Sequence, residues 1–190
     1  MNLIYDAYPD SVMLNGAERG IVTDFKDWLR FVDMLKDMNL RDEEKLQVML
    51  DFYLEDIPVC DLSSVHRPLI DFFGMRDADE RMESKKTEQS VRQVPKALYD
   101  YQIDARYIIA GFWQDYGIDL TESKMHWWKF RILLDGLSEK TEFKQRVMYR
   151  NTDTGKIGDV NERNRILRIQ QSIAIPQAKP DEFEIGGMFW

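Results

Sequence analysis

The chain has 190 residues, of which 44% are hydrophobic and 12% aromatic, and this apolar content excludes wholesale disorder. Its 26 Lys and Arg against 34 Asp and Glu give a formal net charge of −8, which argues against nucleic acid as the main partner because phosphate backbones attract basic surfaces. Two histidines and one cysteine are too few for a zinc cluster or a disulfide framework.

The N-terminal segment predicts a β-hairpin within residues 11–22. Asn15-Gly16 readily supplies the two positive φ angles of a tight hairpin turn. The apolar runs Val12-Met13-Leu14 and Ile21-Val22 flank this turn and are the predicted strands, with further residues left between the turn and the second strand.

Apolar residues spaced three or four apart predict a series of helices along the rest of the chain. Gly117 is suited to end the long aromatic-rich helix because it adopts positive φ without strain. The predicted helices cover about 24–38, from about 42 to Pro58, 65–73, 99–116, from Thr121 or Ser123 to Gly136, 139–150 and 159–172. Four tryptophans are expected in the core: Trp28, Trp113, Trp127 and Trp128.

Composition divides the chain into four parts. Residues 75–98 are highly charged and have no apolar stripe, which predicts a flexible linker. Residues 1–74 predict a hairpin with helices, 99–175 a helical region, and 176–190 a tail that ends in aromatic residues. The predicted fold class is mainly α, a bundle of about six to seven helices with a small N-terminal β-hairpin.

No sequence pattern identifies a catalytic, metal or cofactor site, because the common phosphate, dinucleotide, metalloprotease and hydrolase motifs are absent. Ser64 and His66 are two positions apart on a predicted helix, which favours a helix cap and a surface histidine over a nucleophile and its base. Cys60 next to Asp61 lacks the cationic surroundings of a reactive thiolate. We therefore expect a protein that is not an enzyme and binds no cofactor.

Two segments suggest binding. Residues 126–131 alternate aromatic and basic side chains, as a surface for single-stranded nucleic acid does, but the acidic net charge favours a core helix here. The tail offers large apolar side chains that could anchor a partner, or that could fold back over the chain's own groove. These candidate partner-binding residues are Phe183, Met188, Phe189 and Trp190.

Two further blocks stand out together. The first runs from Pro9-Asp10-Ser11-Val12 through Thr23-Asp24-Phe25 to Lys26-Asp27-Trp28-Leu29. The second begins at Asp104-Ala105-Arg106-Tyr107-Ile108, continues through Tyr116-Gly117-Ile118-Asp119-Leu120 and His126-Trp127-Trp128-Lys129-Phe130, and ends at Asp135-Gly136-Leu137. With this spacing the chain resembles a small family of proteins from long-tailed bacteriophages and prophages of Gram-positive hosts. The resemblance covers roughly residues 5–60 and 99–172 and leaves out the linker and the tail.

The resemblance implies a place in the phage tail module, where genes of this family lie just ahead of the gene for the tape-measure protein. That is the position of tail assembly chaperones, which bind the long helical tape measure and help load tail-tube subunits around it. It implies the tape-measure and tail-tube proteins as partners, with self-association as an open alternative. It carries no catalytic residues that could be transferred to this chain.

Two alternative functions remain open at this point. The chain could be a structural virion component of the tail or connector, or a phage-encoded regulator or inhibitor that binds a host protein. No apolar run reaches the roughly 18 residues of a membrane span, and the N-terminus lacks the basic and apolar regions of a signal peptide. We therefore expect action in the host cytoplasm during phage assembly, without a membrane or a nucleic acid as partner.

Overall fold

The computed structural model describes residues 2–57, 62–76 and 97–176. Within them the chain is mostly helical, with one two-stranded antiparallel sheet, so the predicted fold class is confirmed. The strands are β1 (Ser11–Leu14) and β2 (Ala17–Gly20), and the helices are α1 (Phe25–Lys36), α2 (Asp42–Leu50), α3 (Leu62–Phe73), α4 (Ala105–Tyr116), α5 (Trp127–Asp135), α6 (Glu142–Asn151) and α7 (Val160–Ser172). Most of the predicted linker and nearly all of the tail lie outside the described residues, and the predicted domain boundaries stay a prediction.

The hairpin turn forms where the sequence predicts it, but the second strand begins earlier than the predicted Ile21-Val22. Asn15 and Gly16 both have positive φ, at 51° and 81°. A two-residue turn leaves the next residue directly opposite the last residue of β1, so pairing resumes at Ala17 and not at Ile21. Ile21 instead forms an isolated antiparallel bridge with Tyr53, beyond the end of α2.

Helix α4 begins later than predicted and ends where predicted. The Asp100 carboxylate accepts hydrogen bonds from the backbone N–H groups of Gln102 and Ile103, at 2.9 and 3.0 Å. These local bonds hold a turn, so the helix begins at Ala105 and not at 99. Gly117 ends it in the left-handed conformation, with φ 65°, as its sequence position indicates.

Contacts divide the chain into two compact units, which are not contiguous in sequence. Among the described residues, the first unit contains 2–57, 62–76 and 124–132, and the second contains 97–123 and 133–176. The first unit therefore combines the hairpin and helices α1 to α3 with most of helix α5, although α5 follows them after a long interval of chain.

Backbone hydrogen bonds join residues 124–132 to the start of α1. The Phe25 N–H donates to the Met125 carbonyl at 2.9 Å, and the Trp127 N–H donates to the Thr23 carbonyl at 2.7 Å. This pairing keeps the preceding residues extended, so α5 begins at Trp127 and not at Ser123 or earlier. The sequence did not reveal it because the two paired segments are far apart along the chain.

Trp28 lies at the centre of the first unit, with no exposed surface. Its indole N–H donates to the Val22 carbonyl at 2.9 Å, which satisfies the one polar atom of the side chain. Trp127 and Trp128 are also buried, so the predicted core positions of these three tryptophans are confirmed. The rings packed around Trp28 are Phe31, Phe52, Phe72, Phe73 and Trp127.

A buried ion pair organises the second unit. The Arg150 guanidinium makes two hydrogen bonds to the Asp104 carboxylate, at 2.6 and 2.9 Å, and the two side chains are 3% and 0% exposed. Arg150 also donates to the carbonyls of Leu98, at 3.1 Å, and Ile173, at 2.8 Å. One side chain therefore ties the residues before α4 and the residue after α7 to helix α6.

We expect Arg150→Met to lower the free energy of unfolding by about 3–5 kcal/mol, because it leaves the Asp104 carboxylate buried without its partner. Urea unfolding measures this loss. The matched control is Arg30→Met, which removes an exposed ion pair with Asp27 and should leave the unfolding midpoint nearly unchanged. Equal midpoints for the two variants would contradict the role given to Arg150.

Candidate partner-binding surfaces

His, Cys, Asp and Glu side chains do not assemble into a candidate metal site in the described part of the chain. No group of three or more His, Cys, Asp or Glu there could hold a metal ion, and no helix there is long and apolar enough to cross a membrane. His66 lies on α3 as expected, Ser64 is the third residue of that helix and not its cap, and Cys60 lies outside the described residues.

The four tail residues proposed to contact a partner are not placed by the structure. Phe183, Met188, Phe189 and Trp190 all lie beyond residue 176, outside the described ranges. Their role stays a prediction from sequence. The described part of the chain has other exposed apolar surfaces.

His126 is partly buried and hydrogen-bonded through both ring nitrogens. The Trp128 backbone N–H donates to its Nδ1 at 3.0 Å, so Nδ1 carries no proton and Nε2–H donates to the Pro9 carbonyl, also at 3.0 Å. The Tyr8 ring stacks on the imidazole with the ring centres 5.0 Å apart. His126 thus fixes the segment before β1 to the start of α5, which is a structural role.

The charge state of His126 follows from this environment. Burial lowers the pKa of the imidazole below its ordinary value of 6.5, and the hydrogen bond to Pro9 and the negative charge of Asp10 oppose this with smaller effects. Protonation would also place a proton on the nitrogen that accepts the Trp128 N–H. The neutral form is therefore the one that the fold requires.

We expect the melting temperature to fall as the pH is lowered from about 7.5 to 5.5, because the unfolded chain binds a proton at His126 more readily than the folded chain does. This contribution to the free energy of unfolding is fully present above the pKa that His126 has in the unfolded chain. It is lost as the pH falls through the lower pKa of the folded chain. In His126→Gln this pH-dependent part should disappear, while the control His66→Gln should keep it. An identical pH profile in all three proteins would contradict this account of His126.

Helix α4 turns apolar residues towards solvent. Trp113 is 62% exposed and Ile109 is 37% exposed, one helical turn apart. The Arg106 and Ala110 side chains are exposed beside them. We call these four residues the α4 outer face: Arg106, Ile109, Ala110 and Trp113.

The prediction that Trp113 is a core residue is wrong. The buried side of α4 is centred on Ile108, Gly111 and Phe112, and each residue advances about 100° around a helix, which turns Trp113 away from that side. Arg106, seven positions before Trp113, is the sequence signal that this stripe faces solvent, because a charged side chain is rarely buried without a partner.

Tyr107, which follows Arg106 of the α4 outer face, is stacked by two guanidinium groups. The Arg106 and Arg146 guanidiniums lie over the Tyr107 ring, at 4.7 and 3.7 Å from its centre. Such stacking holds the cations in place at the edge of an apolar surface. A surface that combines an exposed tryptophan with an arginine has the composition of the energetic centre of a protein–protein interface.

The comparisons with known proteins identify a family. The family described as Bacteriophage Gp15 protein matches residues 4–175, which is nearly the whole chain. No curated protein and no solved structure shows a significant match. The phage origin that the two sequence blocks indicate is thereby confirmed, and the chain belongs to the bacteriophage Gp15 protein family.

Proposed function

We propose that this chain is a non-enzymatic tail assembly protein, a chaperone that binds the tape-measure protein and helps recruit tail-tube subunits in the host cytoplasm. Membership of a phage protein family supports this, together with the gene position implied by the resemblance described above. The observation that carries the proposal is the α4 outer face, because it leaves Trp113 uncovered on a helix whose opposite side is buried at Ile108, Gly111 and Phe112.

The chemistry of the α4 outer face suits a helical partner. Ile109 and Trp113 form a short apolar ridge along the helix, and a second amphipathic helix buries such a ridge by packing beside it. One contact of this size is weak. Many copies bound along one long helical chain would nevertheless keep that chain soluble, because each bound copy covers a stretch of its apolar surface.

The tail supplies a second proposed contact. Phe183, Met188, Phe189 and Trp190 are large apolar residues among acidic ones and could anchor in pockets of the tape measure or the tube protein. A chain with two separated contacts holds its partner more firmly than either contact does alone. The tail and the α4 outer face are therefore proposed to act together.

We expect Trp113→Ala to lose most of the ability to keep a co-expressed tape-measure protein soluble, since the variant removes the largest side chain of the α4 outer face. The measurement is the soluble fraction of the tape measure, followed by size exclusion of the complex. The variant should melt at the same temperature as the parent protein, because the side chain is mostly solvated.

The matched control is Met148→Ala, which removes a side chain of similar exposure, 53%, from α6. It should behave like the parent protein. A tape measure that precipitates even with the parent chain, while this chain elutes alone, would overturn the proposal. Stoichiometric amounts of the chain in purified virions would then support a structural component instead.

We expect deletion of residues 177–190 to weaken capture of the tape measure while leaving the melting temperature unchanged, because a partner-binding tail adds nothing to the chain's own core. Thermal unfolding and the same co-expression assay test both parts. A fall of several degrees would instead show that the tail packs on its own chain, which is the alternative left open by the sequence.

A further inference from the structure

Most of the surface of helix α7 is not buried against the rest of the chain. Of its thirteen residues only Ile166 is buried. Val160 is 60% exposed and Leu167 is 36% exposed on the side turned away from Ile166. We call this side the α7 outer face, and it consists of Val160, Asn164, Leu167, Arg168 and Gln171.

Charge is distributed unevenly along the chain. Residues 140–172 carry eight Lys and Arg against four Asp and Glu, whereas residues 2–57 carry thirteen Asp and Glu against six Lys and Arg. The α7 outer face thus belongs to a basic region of an acidic protein. A partner of opposite charge that also offers apolar contacts would be attracted to it.

The first unit offers a surface of that kind beyond the end of α2. A cavity of about 360 Å³ there is lined by aliphatic and acidic residues, including Leu50, Asp51, Leu54, Glu55, Asp56 and Ile57. Leu54 is 68% exposed at this cavity, which we call the α2 cleft. Glu55 is already paired with Arg19, so the carboxylates of Asp51 and Asp56, with the three aliphatic side chains, are the groups that match the arginine and the aliphatic residues of the α7 outer face.

We propose that the α7 outer face of one molecule docks in the α2 cleft of a second copy of this chain. The aliphatic pair Val160 and Leu167 would cover Leu54, and Arg168 would pair with the carboxylate of Asp56. Arg168 and Asp56 are both exposed in the chain itself, so a second molecule can reach each of them. The occupant of the cleft is therefore another molecule with the same basic helix.

The contact joins two different surfaces, so a pair of molecules keeps one free cleft, on the molecule that contributes the helix, and one free α7 outer face, on the other. Such a head-to-tail contact adds molecules in a row and does not stop at a dimer unless a ring closes. This inference goes beyond the proposed function, since it concerns the protein alone and holds whatever the other partner is.

Sedimentation velocity of the purified full chain tests the proposal without any tape-measure protein. We expect the average mass to rise steadily with concentration and to fall when salt is added, because the charges at the contact are screened. The variant Leu167→Ser/Arg168→Glu should weaken association at least about fivefold. The matched control Ile132→Ser/Lys129→Glu changes equally exposed residues of α5 and should associate like the parent chain.

Mixing two defective variants distinguishes the head-to-tail contact from a symmetric one. Asp56→Arg damages only the cleft, and Leu167→Ser/Arg168→Glu damages only the α7 outer face. Each variant should be largely monomeric alone, while their mixture should form a one-to-one dimer through the surviving cleft and the surviving helix. Glu122→Arg, the control for the cleft variant, changes an exposed acidic residue of the second unit and should associate normally.

Three results would overturn the proposal. The parent chain could stay monomeric at all concentrations, the α7 variant could associate as strongly as the parent chain, or the mixture could fail to form the one-to-one dimer. All variants change exposed residues, and their melting temperatures should equal that of the parent chain. Failure here leaves the tape-measure assay unaffected, so the two proposals stand or fall separately.

Discussion

The first unit depends on the return of residues 124–132 to the N-terminal helices. The indole N–H groups of Trp127 and Trp128 donate to the carbonyls of Phe73 and Phe72, at 2.9 and 2.8 Å. These carbonyls belong to the last turn of α3, and the Phe72 carbonyl also accepts a hydrogen bond from the Met75 backbone N–H at 3.0 Å. The two tryptophans therefore bind the end of one helix and fill the core beside Trp28. A unit built in this way needs chain segments from both sides of the undescribed residues 77–96.

Sequence reasoning succeeded where the signal is local. Helical spacing predicts the number and order of the helices, and the Asn15-Gly16 turn and the Gly117 helix end are confirmed because both depend on backbone preferences of single residues. It failed where contacts between residues far apart in the sequence determine the structure. The later start of α5 depends on pairing with Thr23 and Phe25, and no pattern around residues 121–127 reveals that pairing.

The candidate binding surface was missed for a related reason. Hydrophobicity alone treats a core tryptophan and a contact tryptophan alike, so Trp113 was assigned to the interior with Trp28. Only the charged residue Arg106, on the same stripe of the helix, indicates from the sequence that this stripe faces solvent.

The second unit is held by Asp104 and Arg150, polar residues that an apolar pattern cannot identify as core. The tail candidates remain a prediction from composition.

The α4 outer face, the α7 outer face and the α2 cleft each combine aliphatic or aromatic side chains with nearby charges. We propose that the α4 outer face is covered when the tape-measure protein binds. Hydroxyl-radical footprinting with mass spectrometry reads the accessibility of Trp113 directly, with the exposed Met148 as an internal reference. The account predicts that added tape-measure protein slows oxidation of Trp113 several-fold and leaves Met148 unchanged. Equal oxidation of Trp113 in the free chain and in an intact complex would contradict it.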